Sequence, residues 1–363
     1  MVCICFLWDG CEIKSLVSNA QPLPDPYSVS NHTARFTNVT ILKTPGSAGG
    51  VSIDPRDNSS ILFTVDSAVG GIFRAKKVAT GNWSIEPVPV VSSLDRPSGM
   101  TVCADGTLWW THDFSQSLKR IRAPWESNAV EEVILNFGPE TTDDDPIDVT
   151  IAPPNFTGSL GQPGQIVVAD RGTDGNSFNA VYLVDPATTN VNQTGYTNFL
   201  VTPTTTGLGG ANLNAITALP QYGEVVTLGT DGTITAINGS GVQRTILPAT
   251  LWSDIFSGGP LPSAQAIGYD STTGRLWIFD DVRDEIWSID PNPATQGAAP
   301  DQKEVSFPLA DGDRPDLQID VHDPGLAFAP NGAFMVVSDT ARKTAEAASS
   351  YSTMRRSPCP RST

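Results

Sequence analysis

Residues Pro97 to Ile121 read PSGMTVCADGTLWWTHDFSQSLKRI and contain one complete structural unit. Met100-Thr101-Val102 alternates sides as a strand does. Ala104-Asp105-Gly106 is a turn carrying the Asp-Gly pair that two-residue hairpins favour, and Leu108-Trp109-Trp110-Thr111 is a second β-rich run. A polar loop follows, opening on His112-Asp113, and a third strand is expected around Leu118-Lys119-Arg120-Ile121.

The same order of strand, turn, strand and Asp returns on both sides of this stretch. Aligning the small residue ahead of each first strand gives Gly50, Gly99, Asp148, Ala215, Ala266 and Gly325, with spacings of 49, 49, 67, 51 and 59. A period of this length with about four strands per copy is the signature of a propeller blade. A β-sandwich is the competing reading, but a sandwich need not repeat the same motif. The expected fold is therefore all-β, a six-bladed β-propeller spanning 33–340, with residues 1–32 a leader or extended arm and 341–363 an irregular basic tail. The sixth copy lacks an alternating third strand after Asp339. Phe36 to Lys43, FTNVTILK, is the expected strand that closes the ring and removes two open sheet edges.

Composition agrees with short strands and tight turns: the 363 residues include 32 glycines and 29 prolines, and only 17% are charged. A formal net charge of -17 argues against nucleic acid, which needs a basic face. The five cysteines are odd in number, three of them within the first eleven residues, so no disulfide framework can be read. No apolar run reaches the length of a membrane span, and the opening MVCICFLWDGC makes a poor signal peptide. Seven Asn-x-Ser/Thr sequons, at Asn31, Asn38, Asn58, Asn82, Asn155, Asn192 and Asn238, together with the acidic, lysine-poor composition point to an extracellular or periplasmic protein.

PSGMTVCADGTLWWTHD, QAIGYDSTTGRLWIFDD and PGLAFAPNGAFMVVSD resemble the six-bladed propellers of the NHL-repeat and senescence-marker/gluconolactonase group, over roughly residues 48–340. The resemblance implies architecture more than activity, because this scaffold carries lactonases, lyases, synthases and pure binding modules. It also implies a divalent metal held by a first-blade Glu, an Asn ahead of a Gly-Leu strand start, and an Asp. The chain departs from that pattern: Ala48-Gly49-Gly50 has no Glu, and Pro324 precedes Gly325-Leu326. Asn214, ahead of Ala215-Ile216, is left for the Asn role, and Asp148 or Asp323 for the Asp role.

In a propeller the segment leading into each innermost strand and the loop after each second strand share one face. That face collects Asp145, Asn214, Gln265, His322 and Asp323 from the first set, and His112, Asp113, Asp170, Arg171 and Asp280 from the second. Its carboxylates suit Ca²⁺ or another divalent cation, with Asp145, Asp148, Asn214 and Asp323 as candidate ligands. His112, His322 and Asp323 are the candidate acid-base residues. Each of these histidines has an Asp neighbour, but neighbours along a strand point to opposite sides and do not make a dyad. The Asp that ends the second strand in five of the six copies reads as a cap on the following loop. Trp109, Trp110, Trp277 and Trp287 read as packing between blades.

The first functional expectation is a secreted, noncatalytic module that binds a small molecule, protein or glycan at the channel face and self-assembles through its terminal strands. The alternative is a metal-dependent, lactonase-like hydrolase at the channel mouth.

Overall fold

A computed structural model describes residues 2–7, 38–45, 47–57, 59–66, 70–79, 82–87, 90–92, 97–112, 115–126, 129–137, 145–171, 179–204, 208, 212–255, 264–280, 285–295, 302–306 and 325–338. These form six antiparallel sheets.

Two N-terminal strands, β1 (Val2–Leu7) and β2 (Asn38–Lys43), precede the first blade. Blade 1 holds β3 (Ser47–Ile53), β4 (Ser60–Asp66), β5 (Gly71–Ala79) and β6 (Asn82–Ile85), with β7 (Val91–Ser92) pairing the other end of β5. Blade 2 holds β8 (Pro97–Val102), β9 (Leu108–His112), β10 (Ser117–Ile121) and β11 (Glu131–Asn136). Blade 3 holds β12 (Pro146–Ile151), β13 (Ile166–Asp170), β14 (Asn179–Val184) and β15 (Phe199–Thr204). Blade 4 holds β16 (Leu213–Leu219), β17 (Glu224–Gly229), β18 (Ile234–Asn238) and β19 (Gln243–Leu247). Blade 5 follows a short helix, α1 (Ala249–Ile255), and holds β20 (Ala264–Asp270), β21 (Arg275–Asp280), β22 (Glu285–Ile289) and β23 (Gln302–Ser306). The last blade has β24 (Leu326–Phe328) and β25 (Phe334–Val337).

The innermost strands β3, β8, β12, β16, β20 and β24 each pack on the next, and β24 returns to β3, which closes the ring. Closure falls to the last sheet, ordered β2-β1-β25-β24. The strand beside β25 is Val2–Leu7, with Ile4 opposite Val337 and Leu7 opposite Phe334, and β2 pairs outside it. The missing third strand of the sixth copy thus comes from the first residues of the chain, and the stretch expected to close the ring takes the outermost place. Removing residues 1–7 leaves β25 with an unpaired edge, a template for edge-to-edge pairing. The truncated protein is expected to elute as larger species than the intact chain on size exclusion; an unchanged elution profile would contradict this closure.

The Asp-Gly turns follow one rule. Gly106, Gly232 and Gly332 have φ of 86°, 84° and 67°, while the Asp or Asn before each is not in the left-handed region. Cys103 donates to the Thr107 carbonyl and accepts from Gly106 N, at 2.9 and 2.8 Å. This is a three-residue loop over Ala104-Asp105-Gly106, the stretch read as the turn, with glycine in the left-handed region. Asp105, Asp231 and Asn331 each accept the N–H two residues on, which holds the turn.

The core lies between the sheets. Trp109 packs among Val149, Val168 and Tyr182 of blade 3, and Trp110 among Leu62 and Ile72 of blade 1. Trp277 meets Phe328 of the last blade edge to face at 5.2 Å, and Trp287 meets Trp252 of α1 at 6.4 Å. These tryptophans are inter-blade packing, as the repeated strand positions suggested. Among the described residues no helix is long and apolar enough to cross a membrane.

Candidate functional site at the channel mouth

Five innermost strands begin with the same irregularity. Two residues on the inner strand face one on its partner: Gly49 and Gly50 oppose Thr64, Ser98 and Gly99 oppose Thr111, Ile147 and Asp148 oppose Ala169, Asn214 and Ala215 oppose Leu228, and Gln265 and Ala266 oppose Phe279. Bulges of this kind bend a strand and re-aim its side chains, and they gather beside functional sites. The small residues aligned from the sequence are the second residue of each bulge.

The bulges turn polar side chains onto the neighbouring blade. Ser98 Oγ donates to the Ile147 carbonyl at 2.8 Å, and Asn214 Nδ2 donates to the Ala264 carbonyl at 2.8 Å and to Gln265 Oε1 at 3.2 Å. Ser338 Oγ donates to the Gly49 carbonyl. Glycine is required where the strands come closest: a Cβ on Gly99 would lie 2.0 Å from Asp148 Oδ1 and 2.5 Å from its Cα. Sequence reasoning did not single out Ser98; the column just ahead of the small residues, Gly49, Ser98, Ile147, Asn214, Gln265 and Pro324, would have found it.

Asp148 breaks the small-residue column. Its Oδ1 accepts from Val149 N at 2.8 Å and its Oδ2 from Ile216 N, in the next blade, at 2.9 Å. Asp148 is half-buried, and its carboxyl is held at the seam between blades 3 and 4. Desolvation by burial raises its pKa to about 7, against the lowering effect of the two main-chain hydrogen bonds. No cation pairs with it among the described residues.

The other candidates do not gather around Asp148. Asp145 pairs with Arg171, whose Nε lies 2.6 Å from Asp145 Oδ2, and Arg171 N also donates to the Asp145 carbonyl. Asp170 accepts Asp145 N, so this second-strand Asp ties down the segment leading into β12. His112 is fully buried, and its Nδ1 accepts Ser115 N at 3.3 Å, anchoring the loop after β9. His322 and Asp323 lie outside the described residues.

Among the described residues no three His, Cys, Asp or Glu side chains converge. Both Asp148 oxygens hold main-chain N–H groups, Asp145 holds an arginine, and the Asn214 amide is anchored to blade 5 through its hydrogens. With no cluster of three carboxylates, imidazoles or thiols among the described residues, these residues alone do not make a divalent-cation site.

No protein-family profile and no curated protein matches the chain. Solved structures do. Regucalcin from Agrobacterium tumefaciens, a calcium-binding protein, is 12% identical with a TM-score of 0.54, covering 85% of this chain and 87% of its own. A virginiamycin B lyase from Staphylococcus aureus is 14% identical, covering 84% and 85%, with a TM-score of 0.46. A gluconolactonase candidate is 15% identical, covering 82% and 90%, with a TM-score of 0.49. At these identities the likeness is one of fold: the chain is a β-propeller.

Proposed function

We propose that the chain is a hydrolase of a small lactone or ester, acting at the channel mouth with Asp148 as the proton acceptor. One observation carries this reading. Of six equivalent innermost positions, five hold Gly or Ala and the sixth holds an enclosed carboxyl whose proton is retained to about 7. A base that titrates near the working pH combines a useful ionised fraction with real proton affinity. In the reaction, Asp148 takes a proton from water as the water oxygen bonds to the acyl carbon. The ester C–O bond then breaks, and the leaving alkoxide takes that proton back, giving an acid and an alcohol.

The resemblance of the repeats to gluconolactonases supports an acyl substrate, and the calcium binding of regucalcin makes a divalent cation the alternative that the assay separates. A lactone and ester panel assayed with and without EDTA is the test. Turnover that survives EDTA is expected; turnover abolished by EDTA and restored by Ca²⁺ would return the mechanism to a metal. No turnover on any substrate would overturn the hydrolase reading and leave the noncatalytic binding module.

A further inference from the structure

We propose that Ser98 of blade 2 is a positioning residue for Asp148, holding the peptide group that carries this carboxyl. The inference rests on the hydrolase reading and deepens it, because a proton acceptor works only when it is held at a fixed place beside the reacting water.

The carboxyl is gripped from two sides. Ile147 and Asp148 are the two bulge residues that face Ala169, so the peptide group between them lies out of the regular ladder. Ser98 Oγ donates to the carbonyl of that peptide group, which belongs to Ile147, at 2.8 Å across the seam between blades 2 and 3. A peptide group is planar, and fixing its oxygen fixes the direction in which the Asp148 main chain leaves it. From the other side Ile216 N of blade 4 donates to Asp148 Oδ2 at 2.9 Å. Blade 2 thus sets the base of the side chain and blade 4 sets its tip.

The grip is itself anchored. Gly99, the next residue, lies so close that a Cβ on it would meet the Asp148 Cα at 2.5 Å. The buried Thr111 Oγ1 donates to the Gly99 carbonyl at 3.3 Å, tying this bulge of β8 to β9 of its own blade before it reaches blade 3.

Two other seams carry ties of the same form. Asn214 Nδ2 donates to the Ala264 carbonyl and Ser338 Oγ to the Gly49 carbonyl. The residues that follow those carbonyls are Gln265 and Gly50, so neither tie fixes a carboxyl. Ser338→Ala is therefore a matched control, since it removes a seam tie remote in function from Asp148.

The test compares Ser98→Ala, Ser98→Thr and Ser338→Ala with the intact chain, in steady-state kinetics on a lactone or ester and in ¹H–¹⁵N spectra that follow the Ile216 amide. Ser98→Ala is expected to lower kcat about tenfold, the rate equivalent of one hydrogen bond, with KM unchanged. Its Ile216 amide proton should move upfield as the bond to Asp148 lengthens. Ser98→Thr keeps the hydroxyl and should restore both. Ser338→Ala should lower stability and leave both unchanged. Unchanged kcat and Ile216 signal in Ser98→Ala overturn the proposal. Equal changes in Ser338→Ala, or a full loss in Ser98→Thr, assign the effect to packing and overturn it as well. A moved Ile216 signal in a chain without turnover removes the hydrolase reading and leaves Ser98 holding Asp148; turnover that Ser98→Ala leaves intact, with an unmoved signal, does the reverse.

Discussion

Asp148→Ala is expected to lower turnover of a lactone or ester by about 10²- to 10⁴-fold, the usual contribution of a positioned general base. The same substitution is expected to make the folded chain more stable at pH 8 and less stable at pH 5. The sign comes from proton linkage. The folded carboxyl titrates at about 7, while an unfolded Asp titrates near 3.9. Between those values the folded chain binds more protons than the unfolded one, so its stability falls as pH rises through that window. Below it both states are protonated, and the carboxyl contributes its two hydrogen bonds to Val149 and Ile216. Above it the folded chain carries an enclosed charge with no cation beside it. Alanine, the residue at the matching positions 215 and 266, removes both the benefit and the cost. Kinetics and melting curves at the two pH values check this directly. A variant with unchanged turnover that is less stable at both pH values would make Asp148 a structural clasp.

Gly99→Ala is the second large effect. The added Cβ meets Asp148 Oδ1 at 2.0 Å, its Cα at 2.5 Å and its Cγ at 2.7 Å. The main chain on neither side has room to retreat, because Ser98 Oγ bonds the Ile147 carbonyl across the same seam. Overpacking of this kind costs about 1–3 kcal/mol, and main-chain contacts place this case at the upper end or beyond. Chemical denaturation should show that loss, and the fraction that stays folded should lose turnover because Asp148 is displaced. In the double variant Gly99→Ala, Asp148→Ala the contact with the Cα persists while those with Oδ1 and Cγ go, so only part of the stability should return. Full additivity of the two changes would contradict the contact.

These expectations rest on a fold that was largely legible from residue order. The small-residue column from Gly50 to Gly325 was readable because neighbouring blades approach closely at Gly50, Gly99 and Gly325, where an added Cβ would clash. Ring closure itself was less legible. Val2–Leu7 reads as a short apolar piece, and its partner β25 lies more than 300 residues away, so only tertiary pairing assigns it. The turn at Ala104-Asp105-Gly106 was legible because Asp-Gly serves both short hairpin types, and the register of the flanking strands chooses the three-residue one.

The site was legible in its face more than in its roles. Asp148 and Asn214 were named as metal ligands, and the bulges that redirect them onto backbone groups leave little local trace in the sequence. Asp145 looked free to bind a cation until Arg171, 26 residues on, was seen to hold it. His112, unusual among its siblings, proved to anchor a loop through Ser115.

The central claim is that the channel holds a carboxyl that keeps its proton near neutrality, at a position where the scaffold needs only glycine or alanine. A ¹³C titration of the Asp148 carboxyl in the folded protein measures it. A midpoint close to 7 is expected; a midpoint at or below the ordinary aspartate range, near 4, would contradict it.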